Sequence, residues 1–456
     1  MNRMILALTL VCSGTWGAVA GATEPDAMNY WPAWRGPLAN GVAPHGRPPT
    51  EWSETKNIRW KVELPGPGHA SPIVWGDRIY VLATIKTDKL GTSTKILPAS
   101  LLQEQPPQQD RHRRGPPRAE KPTHLYQFAV LALDRKTGKS IWQTVVREEL
   151  PHEPGHLTAS QASASPVTDG EHVFAFFGSR GLYCLDRNGT VKWEKDFGDM
   201  RTRNEFGEGS SPVLHGATIV INWDHEGDSF IVALDKRTGE QRWKVPRDEP
   251  TSWSTPLIIE DGGRPLVVVS ATNRVRAYDL KTGEVVWECG GLGLNCIPTP
   301  VTDSGLIYVM SGYREAAGMA IRYAGARGDL TGSDAVVWRI EGGTSYVPSP
   351  LLYDGKLFFV DRFRAMLMSY DLKTGQPHWQ PQRLEGLGNI YASPVGADGR
   401  VYVMDRDGNS MVVRQQQKFE VLAQNKLDDT FDASPAIAGD ELFLRGHKYL
   451  YCVAER

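Results

Sequence analysis

The chain has 456 residues, with 51 Lys plus Arg against 53 Asp plus Glu and a formal net charge of −2. That balance excludes a global basic field for nucleic acid or an anionic membrane. The length alone allows two or three ordinary domains. The 46 Gly and 14 Trp suit many tight turns and large packing side chains.

The first residues read as a secretory signal, residues 1–22. Arg3 supplies the positive start, residues 4–11 the apolar run, and Ala18, Val19, Ala20 or Ala20, Gly21, Ala22 the small-residue cleavage site. That run is too short to span a bilayer, and no other stretch reads as a transmembrane segment. Cys12 raises lipoprotein anchoring, but Val11 before it is bulkier than a lipid-attachment site normally carries. Soluble export to a periplasm is expected. Residues 23–56 form an N-terminal arm.

From residue 57 the chain repeats. Ser-Pro or Thr-Pro pairs begin at Ser71, Ser165, Ser211, Thr255, Thr299, Ser349, Ser393 and Ser434, and five of the seven steps between them are 41 to 46 residues. A step of that size holds one four-stranded antiparallel sheet with its turns. Such sheets cannot bury both faces alone, so they must stack, and radial stacking gives an all-β, eight-bladed β-propeller over residues 57–456. In each blade the Ser/Thr-Pro opens strand a, the innermost. Strands b, such as residues 266–269 and 401–404, are unbroken apolar runs, as strands covered on both faces should be.

The first blade is interrupted by residues 84–124, rich in Pro, Gln and Arg and expected to be disordered. Its basic cluster is Arg111, Arg113, Arg114, Arg118 and Lys121. The fifth blade carries an insertion, residues 312–334, in which residues 316–327 read as a short helix. The last repeat ends after strand c. Residues 57–64, containing Trp60, read as the missing strand d, so the N-terminal strand is expected to close the ring and remove its exposed edges.

The corner between strands c and d carries a signature: a small residue, Asp two later, then Thr-Gly, then Trp. It reads Ala132, Asp134, Thr137, Gly138, Trp142 and recurs at Ala233 to Trp243, Ala277 to Trp287 and Ser369 to Trp379. Gly suits a positive-φ turn, and the Asp carboxylate can accept turn N–H groups. Trp60, Trp142, Trp193, Trp243, Trp287, Trp338 and Trp379 are expected to lie flat between blades with the indole N–H on a carbonyl. Cys184 and Cys452 occupy the small-residue slot and read as packing residues. Cys289 and Cys296 flank a Gly-rich loop, and the sequence leaves open a disulfide or two buried thiols.

The Ala-x-Asp-x-x-Thr-Gly-x-x-x-Trp corner resembles the tryptophan-docking motif of the PQQ-like propeller superfamily, and the resemblance covers residues 57–456. The superfamily includes quinoprotein alcohol dehydrogenases and the propeller lipoprotein of outer-membrane β-barrel assembly. The resemblance implies a scaffold without fixing its activity. It leads to an exported, monomeric, non-catalytic scaffold with no cofactor, expected to bind an envelope protein, a peptide or a glycan. The alternative it implies is a quinoprotein dehydrogenase oxidising an alcohol or sugar with pyrrolo-quinoline quinone (PQQ) and calcium at the channel rim. The adjacent cysteine pair common in those enzymes is missing here.

Candidate site residues fall on the loops before strand a and after strand b, expected to share one rim. Two positions before each Ser/Thr-Pro stand His69, Ser163, Gly209, Trp253, Ile297, Val347, Tyr391 and Asp432. The densest patch is Asp224, His225, Glu226 and Asp228, facing Arg247 and Trp253. Asp224, Glu226 and Asp228 are hard oxygen ligands suited to calcium, His225 titrates near neutrality, and an ion-pair network with Arg247 is the plain reading of the same residues. Asn204, Glu205, Glu208, Asn295, Arg314, Arg362 and Arg364 complete the rim, the arginines suiting an acidic ligand. His152 and His156 read as loop residues, because Pro151 and Pro154 argue against a helix.

Overall fold

The structure, a computed structural model, describes residues 27–91 and 119–455. The signal segment and Arg111, Arg113, Arg114 and Arg118 lie outside the described residues. The described chain forms eight sheets, seven of four antiparallel strands and one that adds a fifth, parallel strand. Blade three is representative, with strands Val213–His215, Thr218–Trp223, Phe230–Asp235 and Gln241–Pro246 paired in order. Its strand b is buried along its whole length, as a strand between two neighbouring blades must be.

The ring closes as the sequence predicts. Ile58–Glu63 pairs antiparallel with Tyr449–Val453, placing Trp60 opposite Cys452. Blade eight is thus Ala436–Ala438, Glu441–Arg445, Tyr449–Val453 and then the N-terminal strand.

The docking tryptophans obey a rule that links each blade to the next. Trp60 Nε1 donates to Arg135 O at 3.0 Å, Trp142 to Arg187 O at 2.7 Å and Trp193 to Lys236 O at 3.0 Å. Trp243 donates to Leu280 O and Trp338 to Leu372 O, both at 2.8 Å. Every acceptor is the residue after the corner Asp of the following blade. The corner glycine lies under the same indole: a Cβ on Gly138 (φ +72°) would stand 2.7 Å from the Trp60 ring. Trp287 and Trp379 depart from the expectation, and their buried N–H groups have no partner. The blades that follow them, five and seven, carry Arg322 and Arg414 where the other acceptors have the corner Asp, so the tight Asp-to-Gly turn that presents the carbonyl is missing. Trp379 also precedes rather than occupies strand d of blade six, which is Gln382–Arg383, and packs edge-on against Phe419 instead.

The Ser/Thr of each Ser/Thr-Pro pair builds a second belt, around the channel. Ser71 N donates to Ser165 Oγ, Ser165 N to Ser211 Oγ and Ser211 N to Thr255 Oγ1, each at 2.9 Å. Thr299, Ser349 and Ser393 make the same bond to the following blade at 2.8–2.9 Å. The hydroxyl satisfies a backbone N–H that the short inner strand leaves unpaired.

The arm crosses the channel and plugs it. Trp31 bridges Val74 of blade one, Val42 bridges Gly396 of blade seven, and Arg47 N donates to Gly439 O of blade eight. The buried Arg35 donates to Pro394 O at 2.8 Å and Pro350 O at 2.9 Å. Burial lowers its pKa to about 9.

Two expectations are corrected, and the open alternative at Cys289 and Cys296 is decided. Residues 316–327 are not a helix: Ala317–Arg322 is strand c of blade five, buried but for its last residue, and Gly328–Asp329 adds a parallel fifth strand to Val285–Cys289 of blade four. The apolar run 317–321 has a neighbouring blade on either side and so suits a strand. Residues 84–124 are not wholly irregular: strand b of blade one runs Arg78–Leu90 and strand c begins at His124. Cys289 and Cys296 are free, buried thiols, with each sulfur against a nearby carbonyl, Gly290 O and Gly293 O respectively.

The docking rule predicts unequal costs for two matched substitutions. Trp243→Phe leaves the Leu280 carbonyl unpaired, whereas Trp287→Phe removes an N–H that bonds nothing. In denaturant unfolding, Trp243→Phe should be the more destabilising by about 1 kcal/mol; equal losses would refute the rule.

Candidate functional site

The eight positions two before each Ser/Thr-Pro do meet. All of them, His69, Ser163, Gly209, Trp253, Ile297, Val347, Tyr391 and Asp432, line one cavity of about 250 Å³ at the channel mouth. Its walls carry the hydroxyl belt. Trp34 of the arm forms its floor, with Nε1 donating to Thr299 Oγ1 at 2.8 Å.

Around blades six to eight a second register completes the mouth. Arg362, Arg406 and His447 each stand 13 residues after the Ser of their own blade's Ser-Pro. Each meets the residue two before the next blade's Ser-Pro. The Arg362 guanidinium lies over the Tyr391 ring at 4.5 Å, Arg406 Nε donates to Asp432 Oδ1 at 2.5 Å, and the His447 ring stacks on His69 at 5.0 Å. Sequence reasoning missed Arg406 and His447, although counting from the Ser-Pro would have found both.

Asp432 is the hub of this arc. It accepts from Arg406 Nη2 at 3.1 Å and His447 Nε2 at 2.8 Å, with His69 Nε2 at 3.6 Å. Burial pushes its carboxyl up, but the bonds from His447 and Arg406 and the charges around it outweigh burial and hold it at about 2. Burial lowers His69 to about 4, with Arg445 and Arg406 adding to the shift and Asp432 opposing it.

Arg362 is different. Its guanidinium lies over Tyr346 at 5.0 Å, Phe363 at 4.1 Å and Tyr391 at 4.5 Å. It makes no ion pair among the described residues, and its buried Nε has no hydrogen-bond partner. Beside it Tyr313, Tyr346 and Phe363 form a stacked ladder, with centroid spacings of 5.4 Å and 6.2 Å. Tyr313 and Phe363 are exposed, at 45% and 63%. His156 faces the same cavity, edge-on to Phe206. As expected, neither His152 nor His156 lies on a helix.

The dense patch of blade three does not converge. Asp224 is fully buried, bound by Arg247 Nε at 2.7 Å and Nη2 at 3.0 Å, by Ser252 Oγ at 2.6 Å and by Asn222 Nδ2 at 3.1 Å. His225 turns to the outer side, packing edge-on against Trp223 and accepting from Arg201 N at 3.0 Å. Consecutive residues leaving a strand point to opposite faces, which separates the two. Glu226 is exposed and bonds Thr251, and Asp228 is exposed in the outer groove with His225. The three carboxylates therefore offer no shared calcium site, and the ion-pair reading of Asp224 with Arg247 is what the structure shows. Calcium does not fit at these three separated carboxylates.

The other rim candidates scatter. Asn204 and Glu205 form a short 3₁₀ turn, Arg203–Glu205, with left-handed φ values of 54° and 55°. Asn295 is buried behind the mouth, donating to Tyr346 Oη at 3.2 Å. Arg314 is exposed over Tyr313, and Arg364 is exposed beside Asp361.

Glu208 reaches both the mouth and a tight pocket between blades two and three, where it accepts from Ser179 N at 2.7 Å and from Ser179 Oγ. Arg180 and His152 line that pocket, with Arg180 Nη2 2.7 Å from His152 Nδ1. Burial raises the Glu208 carboxyl to about 7 against the Ser179 bonds.

The family model described as outer membrane protein assembly factor BamB matches residues 49–221, 126–381 and 227–455. The chain belongs to this PQQ_2 family. The factor BamB of Yersinia pestis is 23% identical over 334 residues, covering 69% of this chain and 77% of that protein. Tetrathionate hydrolase of Acidithiobacillus ferrooxidans is 25% identical over 268 residues, 53% of this chain and 47% of that protein. The crystal structure of BamB from Moraxella catarrhalis shares the fold with a TM-score of 0.53 at 14% identity, over 82% of this chain and 98% of that one.

Glu208 makes stability depend on pH. Folded, it keeps its proton up to about pH 7; unfolded, it loses it near 4.5. The folded state binds more protons in between, so this contribution is complete below about 4.5 and fades as pH rises through 7. Melting curves of the protein and of Glu208→Gln should show the variant gaining on the parent as pH rises from about 5 to about 8. A pH-independent gap would contradict the assignment.

Proposed function

We propose that this is an exported, non-catalytic binding propeller of the cell envelope, which holds a carboxylate-bearing segment of an envelope protein at its channel mouth. The reading is supported by membership of a family described by an outer-membrane assembly factor and by the signal-like N-terminus. No helix among the described residues is long and apolar enough to cross a membrane.

The observation that carries it is Arg362. A guanidinium held among three aromatic rings, without an acidic partner, is set to receive a carboxylate bidentately. The ladder of Tyr313, Tyr346 and Phe363 beside it offers the rigid aromatic area on which protein partners dock. A peptide side chain or chain end fits a cavity of about 250 Å³, floored by Trp34 and walled by hydroxyls.

A photo-crosslinking residue at position 391 should trap one predominant envelope protein. Arg362→Glu should reduce that adduct at least about tenfold, the loss expected when a charge-assisted contact becomes a repulsion. Its circular dichroism should be unchanged, because Arg362 braces no buried ion pair. Equal trapping by both forms would sink the proposal. Quinone absorbance with dye-linked oxidation after loading with PQQ and calcium would favour a dehydrogenase instead.

A further inference from the structure

We propose that His69, His447 and Asp432 form a binding site for a borderline divalent transition-metal cation, zinc above all, across the seam where the ring closes. Their ligand atoms all lie within 4.8 Å of one another. Asp432 Oδ2 stands 2.8 Å from His447 Nε2 and 3.6 Å from His69 Nε2. The two rings are nearly parallel, at 17° and 5.0 Å, so both nitrogen edges face the one carboxylate oxygen. Three protein ligands that leave a position open to a cavity are the pattern of a catalytic or ligand-binding zinc rather than a closed structural one. His69 and Asp432 line the mouth cavity, which supplies the open side.

The surroundings select the kind of metal. Arg406 grips Asp432 with Nε on Oδ1 at 2.5 Å and Nη2 on Oδ2 at 3.1 Å and fixes the carboxylate, with Oδ2 also turned to the imidazoles. Arg445 is fully buried nearby, against Gly68, and its guanidinium nitrogens have no partner. Two imidazole nitrogens with a single carboxylate suit zinc and offer too few oxygen ligands for calcium or magnesium; the flanking arginines oppose any cation, so nitrogen affinity rather than charge must hold it. His447 donates Nε2–H to Asp432 without the metal; binding takes the other tautomer, with the proton on Nδ1. The ligands come from the loop after the closing strand and from blade eight, so the bound metal would tie the first and last strands together.

The test uses the tag-free mature protein, stripped with a chelator and titrated with zinc chloride by calorimetry and with cobalt(II) by visible absorption. The expected result is one saturable site per chain, with cobalt d–d bands showing nitrogen ligation, undisturbed by excess calcium. His69→Ala and His447→Ala should each weaken zinc at least about tenfold, since each removes one of three ligands. Zinc should also raise the melting temperature of the parent, as any ligand specific to the folded state does. No saturable uptake by the parent, or uptake unchanged in both folded His variants, overturns the proposal.

Discussion

The pairing of Ile58–Glu63 with Tyr449–Val453 is the constraint on which the rest depends. Without it, blade eight lacks its outer strand and Tyr449–Val453 presents a free edge to solvent, the situation that invites aggregation. Closure also sets Trp60 on the corner of blade one, bonded to Arg135 O and lying over Gly138. The same strand delivers the loop that carries His69 to Asp432 and His447. One ladder of backbone bonds therefore holds both the ring and the His69 side of its mouth.

The docking signature is a contract between neighbouring blades rather than a property of one. The Trp of one blade needs a tight turn from Asp to Gly in the next, Asp-x-x-Thr-Gly in blades one, three, four and six and Asp186-Arg187-Asn188-Gly189 in blade two, because that turn aims a carbonyl outward and its glycine leaves room for the indole. Where the next blade lacks the corner, other contacts fill in. Trp287 lies beside the extra strand Gly328–Asp329, and Trp379 meets Phe419. The ring tolerates these exceptions because neighbouring blades still bury apolar strands against each other.

The register 13 residues after the Ser or Ser-Pro position of a blade has been put to two uses. In blade three it carries Asp224, sunk into an ion pair with Arg247 where both charges are out of solvent. In blades six, seven and eight it carries Arg362, Arg406 and His447, which stay at the mouth. A buried pair with its hydrogen bonds complete is a brace, costly to break and inert toward ligands. An unpaired guanidinium beside a cavity has unmet bonding capacity, and that is the difference between scaffold and site.

The sequence by itself determined the propeller, its eight blades and the closing strand, because Ser-Pro spacing, unbroken apolar strands and the Asp-Thr-Gly-Trp corner are local patterns imposed by turns and strand burial. It also placed the residues before each strand a around one opening, since every copy of a repeat puts the same position at the same radius. It could not tell Asp224 from Arg362: both follow a strand b, and only packing against the neighbouring blade decides which one finds a partner. Nor could it turn residues 317–322 from helix to strand, or choose between a disulfide and two thiols at Cys289 and Cys296. Those outcomes rest on contacts between segments far apart in the chain, where burial and the distance between side chains, not the order of residues, set the energy.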